Sequence, residues 1–445
     1  MGVFSKGVTG VSISASPKSL KPIMQIIPRS EHSISRSDIS ENALKVLYRL
    51  KKHNFEAYLV GGGVRDLLLG HHPKDFDVVT DAHPEQIRSI FNNCRLIGRR
   101  FRLAHVFFGH DIVEVATFRG KSVEEKSFNT STEGMLLRDN VYGTLQEDVW
   151  RRDFTVNAIY YNIKDFSLVD YTGGLKDIEE RVIRIIGEPS NRLREDPVRM
   201  LRAIRFSCKL NFTLAENLSK SMHELGNLLK QVPSARLFEE VIKIFHSGHA
   251  LAIFRQLRFY KLLSYLFPTI NAVNDENKQL QFIENVLQNT DDRILNHLTA
   301  NPAFLFAALL WHPLQHCIEQ MQENHSLSRF SATLQAMEQI LHAQRASLSF
   351  PRRLSIMMKE IWILQIRLER CAPKQVKRIT NDPRFKSAYD FLLLRYSAQD
   401  VTQEIIQWWQ NHVPEEDYTH KPYQKSKKRR GSKRKKKPLD QDFTG

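Results

Sequence analysis

AYLVGGGVRDLLLGHHPKDFDVV, residues 57–79, contains two strand patterns separated by a glycine turn and a short helix. Tyr58 to Val60 reads as a buried strand, Gly61, Gly62 and Gly63 as the turn, and Val64 to Leu69 as a helix stopped by Gly70. The next strand carries acids at i and i+2. Alternation along it predicts that Asp75 and Asp77 share one face while Phe76 and Val78 pack on the other. Two carboxylates side by side on a rigid strand suit a hard divalent ion, Mg²⁺ or Mn²⁺. A pair of such ions about 3.5–4 Å apart activates an attacking oxygen and stabilises a leaving one in phosphoryl or nucleotidyl transfer. Taken singly, each signal has a plainer reading. D-x-D is common on surface strands, and the glycines match neither the phosphate loop ending in GK[ST] nor G-x-G-x-x-G.

The 445 residues are enough for two to four domains. Cys94, Cys208, Cys317 and Cys371 lie far apart without paired spacing, which argues against a zinc cluster or a disulfide framework and fits a reducing compartment. No run of 18 apolar residues occurs, and the opening MGVFSKGVTGVSISASPKSLKP lacks an apolar segment of signal-peptide type, so the expected location is cytoplasmic. The net charge of +16 is concentrated at the end of the chain. Lys425, Lys427, Lys428, Arg429, Arg430, Lys433, Arg434, Lys435, Lys436 and Lys437 fall within KSKKRRGSKRKKK. Such a tract is expected to be disordered and to serve either as a solubilising tail or as a sequence-blind arm for RNA phosphates.

Residues 1–36 read as a flexible leader, followed by a helix from about Asp38 with Glu41 as a capping-box partner. The strand IVEVATFRG carries Glu114, either a third acid for the ion pair or a solvent-facing residue. Arg99, Arg100 and Arg102 precede it and suit phosphate oxygens if they are not merely exposed. LVDYTGGLKDIEERVIRIIG, residues 168–187, reads as a hairpin or strand-turn unit. From about Leu193 the pattern is helical. In RLREDPVRMLRAIRFSCKL, Asp196, Arg199, Arg202 and Arg205 recur every third residue as a basic ridge, which is either a solvated face or a seat for an anion.

The combination of GG-x-VRD with DFD resembles the signature of the tRNA nucleotidyltransferase and poly(A) polymerase family, which adds nucleotides to RNA 3′ ends without a template. The resemblance extends to RRDFT at residues 151–155 and to the E-D-x-x-R-x-x-R-x-x-R helix, and covers roughly residues 24–400. It implies an α+β fold: an N-terminal mixed α/β, polymerase-beta-like domain with an antiparallel sheet, then an all-helical neck and body. Its expected limits are a catalytic domain at 37–190, a neck at 191–240, an RNA-binding body at 241–414 and a basic tail at 415–445.

The resemblance also implies site roles. Asp75 and Asp77 hold the metal, with Asp153 as the favoured further acid and Glu114 as the other. Gly61 and Gly62 allow close backbone approach, Arg65 lies near phosphates or sugar, and Arg151 and Arg152 contact the nucleotide. Asp196 and Arg199 read the base, supported by Arg202 and Arg205. The 3′-hydroxyl then attacks the α-phosphorus in line, pyrophosphate leaves, and ATP is the substrate.

Within the family, PSARLFEE at 233–240 and DPRFKSAYDFLLLRY at 382–396 resemble the bacterial poly(A) polymerase branch, although Ser234 stands where a second proline is usual. The implied product is a poly(A) tail that promotes RNA decay, with RNA 3′ ends and ATP as partners, further contacts to RNA-decay proteins, and a monomeric state. The alternatives are CCA addition to tRNA and, from another class, an inactive RNA-binding accessory protein. Trp311, Trp362 and Phe391 read either as helical core or as base-stacking platforms.

Overall fold

The computed structural model describes residues 24–98, 102–120, 141–270, 276–325 and 327–413. The chain divides into two compact units, one of Met1–Arg236 with Ala252–Tyr265 and one of Leu237–Leu251 with Leu266–Gly445. Arg99 and Arg100 lie outside the described residues, as does the basic tract from Lys425 to Lys437.

The first unit opens with β1 (Gln25–Ile27), α1 (Glu41–Lys52), β2 (Ala57–Val60), α2 (Gly62–Leu68), β3 (Asp77–Thr80) and α3 (Pro84–Ile90). Next come β4 (Cys94–Ile97), β5 (Leu103–Phe108), β6 (Asp111–Thr117), α4 (Leu145–Trp150), β7 (Ile159–Asn162) and β8 (Leu168–Asp170). It continues with α5 (Gly174–Glu179), β9 (Val182–Ile183), α6 (Pro189–Glu195), α7 (Val198–Leu210), β10 (Thr213–Leu214) and α8 (Glu216–Leu225). Eight strands form one sheet in the order β1-β8-β7-β2-β3-β6-β5-β4. The sheet is antiparallel as expected except at one pairing: β3 and β6, the strands that carry Asp77 and Glu114, run parallel.

Alternation divides the sheet into two packed faces. Leu59, Val78, Val115 and Tyr161 face α1 and α3 in one core, while Tyr58, Val60, Val79 and Tyr160 meet Phe118 and Val149 in another. Phe76 and Val78 are buried as the alternation predicts, and Asp75 and Asp77 lie toward solvent. Asp75 itself precedes the strand, which begins at Asp77.

Several local expectations shift. The end of the supposed flexible leader forms β1, pairing antiparallel with β8 from Gln25 opposite Asp170 to Ile27 opposite Leu168. The capping box belongs to Ser35 and Asp38 in a preceding 3-10 turn, whereas α1 starts at Glu41 under Ser40, whose hydroxyl accepts from Ala43 N–H at 3.1 Å. The 168–187 segment contains α5, because Gly174 begins a helix that passes too close to Thr155 for any side chain; a Cβ there would lie 2.3 Å from the Thr155 carbonyl oxygen. The helical remainder also holds β10, which pairs parallel with β9.

The rest of the described chain is helical: α9 (Ser234–Phe245), α10 (Ala250–Phe259), α11 (Leu263–Leu266), α12 (Glu276–Leu295), α13 (Pro302–Leu309) and α14 (Trp311–His325). It ends with α15 (Arg329–Ser347), α16 (Arg352–Glu369), α17 (Val376–Thr380), α18 (Phe385–Ser397) and α19 (Gln403–His412). Trp311, Trp362 and Phe391 are fully buried core residues rather than base platforms. The Trp362 indole N–H donates to the Ala307 carbonyl at 3.0 Å, which joins α16 to α13. Among the described residues no helix is long and apolar enough to cross a membrane.

Candidate active site

The parallel register of β3 on β6 sets Asp77 beside Glu114, and both side chains point to solvent between buried neighbours. Glu114 lies next to His105 of β5 at 3.5 Å. Although Asp77 is open at its tip, shielding by nearby protein pushes its carboxyl above the usual carboxylate range; Glu114 adds to that push, Arg152 opposes it and Asp75 adds a smaller share. Three acids thus share one patch and repel one another, a strain that a cation relieves. Among the described residues no cluster of three or more acid, His or Cys side chains stands preassembled for a metal. The oxygen-only set fits Mg²⁺, which takes one or two carboxylates and completes its shell with water and substrate phosphates.

Gly61 frames the same patch from β2. Its φ of +79° lies in the region that favours glycine, and a Cβ there would sit 3.3 Å from Asp77 Oδ2. Gly62 and Gly63 already belong to α2. Arg65 does not face the patch. It is 2 % exposed, and its guanidinium donates to Asp66 Oδ1 at 2.8 Å and to Asn157 Oδ1 at 2.6 Å, so its role is to tie α2 to the turn after Asp153.

Asp153 is likewise engaged elsewhere. Its Oδ2 accepts from Arg202 Nε at 2.8 Å, and its Oδ1 accepts from the Phe154 N–H at 2.8 Å and from Asn157 Nδ2 at 3.3 Å. Burial alone would raise its pKa, but Arg202 and these hydrogen bonds hold it below the usual range. Asp153 is thus held by protein partners in this structure, whereas Glu114 is the acid set beside Asp77. Arg202 stands on the acid rather than on an open phosphate seat.

Arg151 and Arg152 converge on Asp148, a residue that sequence reasoning missed. Asp148 Oδ1 accepts from Arg151 Nε at 2.9 Å, and Oδ2 accepts from Arg152 Nη2 at 2.9 Å and from the Tyr160 hydroxyl at 2.8 Å. The spacing was legible, because Asp148 lies three and four residues before the arginines on one helical face. Burial, then Arg151, push Arg119 down to about 10, which Asp148 offsets only in part before Arg152 lowers it again. Arginines thus outnumber the acid here, and the excess positive charge suits a polyphosphate.

On the α6–α7 segment, Asp196 and Arg199 are each held by protein partners. Asp196 Oδ2 accepts from Arg236 Nη2 at 2.7 Å, and Arg199 Nη1 donates to the Arg192 carbonyl at 2.6 Å and to Glu195 Oε2 at 3.0 Å. Asp196 is not part of the helical ridge, since α7 begins at Val198. Arg192 in turn donates to the carbonyls of Arg151 at 3.0 Å and Arg152 at 2.6 Å, joining this segment to the arginine turn. Arg205 lies over the Phe206 ring at 4.7 Å, and Arg102, the described member of the upstream basic group, pairs with Glu85 at 2.5 Å.

Residues 57–184 match the poly A polymerase head domain, 211–273 the probable RNA and SrmB-binding site of polymerase A, and 325–441 the polymerase A arginine-rich C-terminus. The chain is 49 % identical over 398 residues to poly(A) polymerase I of Salmonella typhi, covering 87 % of this chain and 86 % of that protein. A CCA-adding enzyme of Bacillus licheniformis is 37 % identical over 229 residues, covering 51 % of this chain and 56 % of that one. In fold, the chain is similar to the CCA-adding enzyme of Bacillus stearothermophilus in complex with CTP, with a TM-score of 0.55 and 24 % identity over 83 % of this chain and 82 % of that one. Identity at this level through most of both chains places the protein in the bacterial poly(A) polymerase I family.

Proposed function

We propose that this chain adds AMP from ATP to RNA 3′ ends without a template, using Asp75, Asp77 and Glu114 as its reacting-centre acids. The observation that supports this reading is the juxtaposition of Asp77 and Glu114 in register, beside the arginine cluster around Asp148. When bound by these acids, Mg²⁺ supplies Lewis-acid activation of the attacking hydroxyl and stabilises the charge that develops on the phosphates. Arg151 and Arg152 hold the negative phosphates of ATP, with Asp148 limiting their mutual repulsion. Asp153 orients Arg202, and Asp196 and Arg199, fixed by Arg236 and Glu195, present a donor and acceptor pattern to the base edge. Preorganisation of this kind lets side chains do the work of a template. The domain limits at residues 37–190, 191–240 and 241–414 belong to the same reading, as do a cytoplasmic location, a monomeric state and contacts with RNA-decay proteins.

CCA addition is the nearest rival. Poly(A) synthesis is favoured because the poly(A) polymerase match runs through most of both chains, whereas the CCA-adding relative of Bacillus licheniformis matches over about half. With an unstructured RNA primer and Mg²⁺, ATP is expected to give extension by many residues without a fixed stop, and CTP to give only feeble extension. A tRNA lacking its 3′ end, supplied with CTP and ATP, is the control. Addition of C, C and A followed by arrest, with the plain primer ignored, would overturn the assignment.

Gly61→Ala is expected to lower turnover more than tenfold and to cost about 1 kcal/mol or more of stability, because it forces a side chain into a positive-φ conformation. The Cβ also meets Asp77 Oδ2. Primer extension and urea unfolding measure the two effects, and unchanged turnover would remove Gly61 from the site.

A further inference from the structure

We propose a second phosphate-binding site, in the helical unit between α15 and α16, which takes the backbone of single-stranded RNA upstream of the reacting 3′ end. It rests on the RNA-extending function proposed above, but not on the acids of the catalytic patch.

A cleft of about 460 Å³ is lined by Arg345 of α15 and by Arg352, Ser355 and Lys359 of α16, with Phe350 as an apolar wall. Cations outnumber acids there. The one lining carboxylate, Glu338, is engaged by Lys359, while Arg345 and Arg352 have no carboxylate partner among the described residues. Arg345 is aimed by its surroundings: Nη2 donates to Ser355 Oγ at 3.0 Å, and the guanidinium lies 6.0 Å from the centre of the Phe350 ring. Ser355 is 2 % exposed, and its hydroxyl, already accepting from Arg345, has a proton left to donate.

The start of α16 adds to this. Its N-cap, Pro351, supplies no side-chain acceptor, and Arg352, the first residue of this 18-residue helix, lines the cleft, so the positive end of the helix dipole lies at its border. Cations held together in excess over acids are stabilised by an anion, and guanidinium forks match phosphate oxygens. The occupant is sequence-blind, because the lining offers cations and apolar surface and almost nothing that distinguishes one base edge from another. A polymer with a phosphate at every residue satisfies these conditions.

The test uses the full chain carrying Arg345→Gln with Arg352→Gln, and a charge-preserving control with Lys at both positions. Filter binding of a 30-nucleotide RNA, without ATP, is followed from low to moderate salt. The expected result is a log K against log salt slope shallower by about 1.4, since each lost single-strand phosphate contact removes about 0.7. KM for the 30-mer is expected to rise at least fivefold, with kcat on a short primer unchanged and the Lys control close to wild type.

An unchanged slope overturns the proposal. So does a raised KM for ATP with RNA binding intact, which would assign the cleft to a nucleotide triphosphate, or displacement of neither ligand by millimolar inorganic phosphate. If the Gln variant unfolds, the test passes to Arg352→Gln alone, for which a slope change of about 0.7 is expected and an unchanged slope is again fatal. Because RNA binding is read without turnover, failure of the wild-type chain to use ATP would count against the function proposed above and not against this site.

Discussion

Asp77→Ala is expected to lower AMP incorporation by at least ~10³-fold while leaving gel-shift affinity for RNA within about twofold of wild type. The size follows from what the residue does: it is the acid next to Gly61 and in register with Glu114, and Arg152 and Asp75 both act on its charge. Losing it removes the centre of the acid patch formed by β3 and β6, and Asp153 does not replace it, because it is held by Arg202. Asp77→Asn keeps the shape without the charge and should be nearly as inactive, which separates charge from packing. Glu114→Gln should be severely impaired as well, whereas Asp153→Asn should disturb the α7 contact through Arg202 and spare metal binding. Retained turnover in Asp77→Ala would end the assignment of this patch as the reacting centre. If Asp153→Asn rather than Glu114→Gln abolished binding of Mn²⁺ followed by paramagnetic relaxation, the ranking of the two acids would revert.

Asp148→Ala is expected to be strongly destabilising, costing about 3 kcal/mol, because it leaves the partly buried guanidinium charges of Arg152 and Arg151 without their carboxylate. Asp148 is 1 % exposed at its side chain and accepts from Arg151, Arg152 and Tyr160 together. A loss of this size corresponds to a fall in melting temperature on the order of 10 °C for a unit of this length. Burial would raise the Asp148 pKa, but Arg152 and Arg151 hold it below the usual carboxylate range. Since the folded-state pKa is the lower one, the carboxylate's contribution is complete above the unfolded value of about 3.9 and is lost as pH falls through the folded value. Melting curves of the wild type should therefore fall on acidification through that range more steeply than those of Asp148→Asn, which has no charge to lose there. A wild-type melting temperature retained by Asp148→Ala would mean that the arginines are solvated well enough to stand alone.

The residues themselves determined whatever depends on neighbours along the chain. The alternation around Asp75 and Asp77, the glycine turn at Gly61 and the helical character after Leu193 follow from backbone periods of 2 and 3.6 and from apolar content, whereas the burial of Trp311 and Phe391 was decided by packing. Local propensity could also have drawn attention to Asp148, one helical turn before Arg151 and Arg152. Pairing across distance was another matter. Glu114 comes 37 positions after Asp77, and only the parallel register of β6 on β3 sets them side by side. Arg202 reaches Asp153 across 49 positions, Arg236 reaches Asp196 across 40, and Arg65 turns inward to Asn157 across 92. No local rule encodes these pairings, because a charged side chain takes whichever partner the packed backbone brings within 3 Å when burial makes an unpaired charge costly. The types of residue needed for the chemistry were therefore readable from the chain, and their pairing with one another was decided by the tertiary fold.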